Sequence, residues 1–285
     1  MGQSMFIVWR ESVEALLVIG ILHAWLSQQP GNRHALRMLW GGVAAGLGLA
    51  SLLAWGILSA GDWLAGPAGE WFQCAMLVIA ALLILQMVGW MHHHGRDLKR
   101  NLVDSAAAHL GQGSGIGLLV LAMLAVAREG SETVVFLYGI GHQQDGSDLT
   151  GFVIGGVLGF ALALLSYAAL QAGSRLFSWK HFFKVSETLL LLLGAALLMG
   201  GLDRFSGQLM GMEVPEILYE VFGDPLWDSS ALLDDGGTLG STIAGLTGYR
   251  AMPSLVAVIV MALYWLAVWA WLRPKPEARL QASPA

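Results

Sequence analysis

VWRESVEALLVIGILHAW at residues 8–25 and VAREGSETVVFLYGIG at 126–141 decide how this chain folds. Both stretches are apolar enough to enter a bilayer core. Yet each carries an arginine and two glutamates at the same spacing, RESVE at 10–14 and REGSE at 128–132. A charged side chain at mid-membrane costs about 2.5–3.5 kcal/mol on insertion scales, so four carboxylates there need compensation. On a helix, residues three apart share a face, which pairs Glu11 with Glu14 and Glu129 with Glu132. Each arginine stands four residues before the second glutamate and can pair with it, Arg10 with Glu14 and Arg128 with Glu132. Two such helices facing one another offer up to eight carboxylate oxygens, the donors that hard cations prefer. Four glutamates and two arginines leave a formal charge of −2, which a cation or protons can offset. The competing reading is two internal salt bridges that fix helix packing. The repetition of so costly a device at matched positions favours metal handling. Gly130 and Ser131 thin the second helix beside its motif and admit a neighbouring backbone.

The rest of the chain agrees with a membrane setting. Of 285 residues, 56% are hydrophobic and 12% charged, about half the charged share of a soluble domain. One cysteine, Cys74, excludes an internal disulfide framework and a cysteine-cluster metal site. No basic patch interleaved with aromatic residues points to nucleic acid. The N-terminus has no basic leader region, and Arg10, Glu11 and Glu14 interrupt its apolar stretch, so it reads as a span and not a cleaved signal. Phe6 stands where a myristoylation signal needs Ser or Thr.

Seven apolar segments, near 5–26, 36–60, 71–91, 115–140, 151–172, 182–202 and 251–272, are each long enough to span as a helix. The expected fold is an all-α membrane protein of seven transmembrane helices, a single transmembrane domain over 1–272 with a cytoplasmic tail at 273–285. Basic residues favour the cytoplasm. Seven spans put Arg33, Arg37, Arg96, Lys99, Arg100, Arg175, Lys180, Lys184, Arg273, Lys275 and Arg279 on one side, leaving only Arg204 and Arg250 opposite. That asymmetry predicts N-out and C-in. Asp62, Glu70, Asp145, Asp148 and the acids from Asp203 to Asp235 then fall outside, as a solvated face or as a weak attractor of cations. An internal repeat is visible: RESVE and REGSE are 118 residues apart, and GGV at 41–43 and 155–157 follows at an offset of 114. Three spans per copy, about 5–91 and 115–202, make the copies inverted, the plan of many transporters with a site near the midplane. An outer loop at about 203–250 and one additional C-terminal span complete the chain.

With these motifs the chain resembles the oxidase-dependent iron transporters, that is, the fungal high-affinity iron permeases and their bacterial relatives. RESVE and REGSE match that family's paired Arg-Glu-x-x-Glu motif, and WDSSALLDDGGTLGSTIAGLTGYRAMPS at 227–254 resembles the segment before the last span of bacterial members. The resemblance implies a permease moving ferric or ferrous iron across the cytoplasmic (inner) membrane into the cell. It implies Glu11, Glu14, Glu129 and Glu132 as iron-handling residues and Arg10 and Arg128 as their charge partners. Iron is then the transported substrate, and no cofactor is expected to be permanently bound. Ser12 replaces the glycine usual in the first motif but leaves the carboxylates in place. With no long N-terminal extension, the oxidase or iron-binding partner is expected to be a separate chain.

The same residues bear on rival functions. A membrane di-iron oxidoreductase would pair glutamates with Glu-x-x-His, and neither motif has that histidine. A metal-binding subunit that moves nothing would not need an inverted repeat. Within transport, lead or another divalent cation is the alternative cargo, because oxygen ligands discriminate poorly. His92, His93 and His94 end the third span; consecutive helical residues point apart, so interfacial polarity is favoured over a joint metal site. His142 reads as a loop residue and Glu187 as a snorkelling partner of Lys184. Trp63, Trp71, Trp90 and Trp179 read as interfacial belt residues. Met199, Met210 and Met212 do not group on one face, and Asp228, Asp234 and Asp235 read as loop chemistry that the family segment could raise to ion capture.

Overall fold

A computed structural model describes residues 1–29, 32–64, 66–94, 98–111, 115–141, 147–171, 179–212 and 215–273. Its helices are α1 (Gly2–Ser27), α2 (Asn32–Trp63), α3 (Pro67–His94), α4 (Leu98–Gly111), α5 (Gly115–Gly141), α6 (Ser147–Gln171), α7 (Trp179–Met210), α8 (Glu216–Phe222), α9 (Thr238–Thr247) and α10 (Leu255–Leu272). No strand occurs among the described residues. Arg96, Arg175, Lys275, Arg279, His142 and Asp145, named above, lie outside them, as do the side chains of His93, His94, Lys99, Asp148, Trp179 and Lys180.

Five helices are long and apolar enough to cross a membrane: α2, α3, α6, α7 and α10. The protein is therefore a multi-pass membrane protein. α1 and α5 match them in length, at 26 and 27 residues, and differ by the three charged residues that each motif inserts. The helices α2, α6 and α10 turn large apolar side chains outward, including Trp55, Leu52, Leu165, Val157 and Trp269. That suits a hydrocarbon solvent, in which a helix satisfies its own backbone. α3 and α7 are the most enclosed of the five, and their residues Leu77, Ala80, Ile84, Leu190, Leu193 and Leu197 form the main core with Phe136 of α5.

Pairing crosses between the two halves of the chain. α1 packs along α6 and α2 along α5, while α3 packs along α7. Glycines permit the two parallel pairings. A methyl group at Gly46 of α2 would sit 2.8 Å from the Met123 carbonyl oxygen of α5, and one at Gly42 would sit 2.8 Å from the Ala122 methyl. In α6, Gly159 lies so close to α1 that a methyl there would be 3.1 Å from the Met5 Cα. These are small-xxx-small contacts, which bring backbones together where dispersion and not water exclusion drives association. α3 and α7 run in opposite directions, pinned at one end by Arg204 to Glu70 at 2.8 Å. Tyr264 of α10 donates to the Leu191 carbonyl at 2.6 Å and seats the last helix on α7.

The stretch expected as one loop at 203–250 is more structured than that. α7 continues to Met210, and its Asp203 pairs with Arg250 at 2.5 Å, which ties this part of the helix to the segment before α10. α8 and α9 occupy much of the remainder, and α9 packs back on α7. Gln3 of α1 donates to the Gly245 carbonyl of α9, so the start of the chain is tied to the segment between α7 and α10. α4 was likewise expected as a loop. Its Ala106 is fully buried with Leu22, Leu26, Leu39 and Leu118, which fixes the helix against the ends of α1 and α5.

Candidate metal site

The motifs meet where α1 and α5 cross. Arg10 is fully buried, and its Nη1 donates to Glu11 Oε1 at 2.6 Å while Nη2 lies 2.5 Å from Glu14 Oε1. Helical spacing explains the second contact, since residues four apart are neighbours on one face. In α5 the matching contact alone forms among the described residues, Arg128 Nε to Glu132 Oε1 at 3.1 Å. Glu129 has no ion-pair partner among the described residues and turns to the other helix. Carboxylate oxygens of Glu11, Glu14 and Glu129 all lie within 4.8 Å of one another. Glu132 stands beside this group, within electrostatic reach of Glu11 and Glu14, held by its own arginine.

Glu11, Glu129 and Glu132 are each at least 90% enclosed. The Oε2 atoms of all three lack a hydrogen-bond partner among the described residues. Buried carboxylate oxygens are ordinarily satisfied by donors or by metal ions. A cation placed among them would turn mutual repulsion into coordination, and an all-oxygen set suits a hard or borderline ion. No histidine joins this group among the described residues.

The two motifs are chemically alike and physically unequal. Arg10 is wholly enclosed, whereas 42% of the Arg128 side chain is exposed. Both are supported by α3, a helix without a motif. Arg10 directs Nη1 at the Met87 sulfur and Nη2 at the Met91 sulfur, both at 3.1 Å. Arg128 lies over the Trp90 ring, 4.8 Å from its centre, a cation–π contact. Trp90 is thus more than the belt residue expected from its place near an interface; it braces the second motif. Nothing in one sequence marks a methionine or an interfacial tryptophan as an arginine's partner.

Other expected residues fall as follows. Glu187 of α7 turns to His92 of α3, with Oε2 4.0 Å from Nδ1, and not to Lys184. The acids between α8 and α9 and beside them are largely committed to structure. Asp228 accepts from the Ser230 N–H at 2.8 Å, Asp234 from Gly236 at 2.9 Å and Asp235 from Ala251 at 3.2 Å. The Ser230 bonds hold the exposed Asp228 carboxyl below the usual carboxylate range. Trp71 packs edge-on against Phe205 with ring centres 5.5 Å apart, and Trp63 is almost fully exposed, as a belt residue would be.

A family model described as the iron permease FTR1 family matches residues 1–273. The chain is 28% identical over 269 residues to the ferrous iron permease EfeU of Yersinia pestis, covering 90% of this chain and 88% of that one. It is 29% identical over 287 residues to the ferrous iron permease EfeU of Escherichia coli O6:H1, covering 97% of each. No solved structure matches the chain.

Proposed function

Because the chain belongs to the iron permease FTR1 family, we propose that it carries ferrous iron into the cell, with Glu11, Glu14, Glu129 and Glu132 handling the ion in transit. The observation that carries this reading is the meeting of three carboxylates from two helices, within 4.8 Å, around oxygens that no protein donor satisfies among the described residues. Arg10 and Arg128 position the carboxylates and reduce the formal charge to −2, which a divalent ion balances. The relatives' names, ferrous iron permeases, support the same oxidation state. The protein resides in a membrane, in bacteria the inner one, and acts as a transporter without catalysing a reaction.

The reading includes seven spans, N-out and C-in, with α1–α3 and α5–α7 as inverted copies. Its support is the loop charge asymmetry and the helix pairing, which keeps its pattern when the first three long helices are exchanged for the next three: α1–α6 becomes α5–α2, and α3–α7 maps on itself. A separate iron-binding protein outside the cell would present the ferrous ion; the oxidase that the resemblance also implies would deliver ferric iron and does not fit this reading.

Uptake of radioactive iron into proteoliposomes tests the proposal, once under reducing anaerobic conditions and once with ferric citrate. Uptake is expected only in the first. Glu14→Gln and Glu132→Gln keep size and one oxygen but remove charge, and each should abolish it. Near-native uptake by both variants would return the motifs to a packing role.

A further inference from the structure

We propose a second cation station, formed by His92 of α3 and Glu187 of α7, that receives the ion after it leaves the four-glutamate site. The inference rests on the transport reading above and adds a location to it. The two side chains come from the two most enclosed spanning helices, and they face each other at the end opposite the Glu70–Arg204 pair. Their approach of 4.0 Å between Nδ1 and Oε2 is too long for a hydrogen bond. It is short enough for both atoms to ligate one ion at about 2.0–2.2 Å each.

Position supports a relay. Glu187 lies within electrostatic reach of Arg10, and Glu14 within reach of Glu187, so the pair adjoins the first site without belonging to its carboxylate cluster. Exposure rises along this line. Glu11 is 1% exposed, Glu14 13%, Glu187 19% and His92 44%, so an ion stepping along them regains water gradually. The chemistry changes in the useful direction as well. One imidazole and one carboxylate carry less charge than three clustered carboxylates. They would hold a divalent ion more weakly, and imidazole nitrogen suits iron among the divalent ions. Conduction needs neighbouring sites that admit an ion without trapping it.

The alternative is a structural tie between α3 and α7, and three substitutions separate the two roles. His92→Lys gives Glu187 a positive partner but supplies no ligand. His92→Asp supplies an oxygen ligand but repels Glu187. Glu187→Gln weakens both. Ferrous iron uptake is measured in proteoliposomes of the full chain, with Glu129→Gln as control. A relay predicts that His92→Lys and Glu187→Gln lower the maximal rate about tenfold or more, while half-saturation stays near the wild-type value. His92→Asp should retain much of the rate. Normal rates for His92→Lys, with loss for His92→Asp, would make the pair a tie and overturn the relay. Normal rates in all three would overturn it too. A normal rate for Glu129→Gln would instead refute the four-glutamate site, so the two failures are distinguishable.

Discussion

Replacing Glu129 by glutamine should stabilise the iron-free protein while ending transport. Glu129 is buried, has no arginine of its own among the described residues, and lies within 4.8 Å of both Glu11 and Glu14. At an effective dielectric near 20, two like charges at that distance repel by about 3.5 kcal/mol. Arg10 also acts on Glu129 and cancels roughly one of the two repulsions. The amide therefore removes a net strain of about 1–3 kcal/mol after allowance for the amide's own burial. Glu14→Gln, chemically the same change, should do the opposite. It strips Arg10 of a partner at 2.5 Å, a charged contact worth about 1.5–3 kcal/mol. At about 2–4 °C per kcal/mol, the melting temperatures of metal-free detergent-solubilised variants should move in opposite directions and separate by several degrees. Uptake by both should be lost. A fall in Tm for Glu129→Gln equal to that of Glu14→Gln would refute the unpaired charge, and retained uptake would refute its role in transport.

Arg10→Met should cost about 3–5 kcal/mol, since it leaves buried carboxylates unpaired, whereas Arg128→Met, with a half-exposed guanidinium, should cost about 1 kcal/mol. Equal Tm shifts would contradict the inequality of the two motifs. Gly46→Ala should destabilise by about 1–3 kcal/mol through overpacking against Met123, while Gly48→Ala, which meets open space, should be neutral or gain up to about 1 kcal/mol; thermal unfolding of both variants decides. In a Cys74→Ala background, Leu232→Cys should react with an impermeant maleimide from outside in intact cells and Ser27→Cys only after lysis. Labelling of both from one side would refute the seven-span topology, and the swapped pattern would reverse the proposed orientation.

The long helices were legible because apolar runs bounded by polar connections leave few alternatives in lipid. The motif pairing was legible because helical spacing alone puts Glu14 within reach of Arg10. The glycines at 42, 46, 155 and 159 carried a readable small-xxx-small signal for the crossed pairing, although only the GGV match had pointed at that region. What the sequence did not disclose was the partner chemistry of α3. The contacts of Met87, Met91 and Trp90 with the arginines depend on tertiary approach and on sulfur and ring faces that no spacing rule flags. Nearness in sequence pairs Glu187 with Lys184. The fold rewards nearness in space to His92 instead. α4 and α9 carry no local signal because their burial depends on surfaces supplied by α1, α5 and α7.

The crossed pairing also orders events during synthesis. α1 must find its place along α6, whose last residue emerges about 140 residues after α1 is complete. At about 5–20 residues per second, that is a wait of about 7–30 s. Until α5 and then α6 are made, the first helix holds three ionisable groups in the bilayer without its main packing partners. Arg10, Glu11 and Glu14 belong to one helix, so they can neutralise each other as soon as that helix forms. The same cluster that later offers oxygens to an ion would first serve as the nascent chain's own chaperone, keeping α1 inserted until its partner is made.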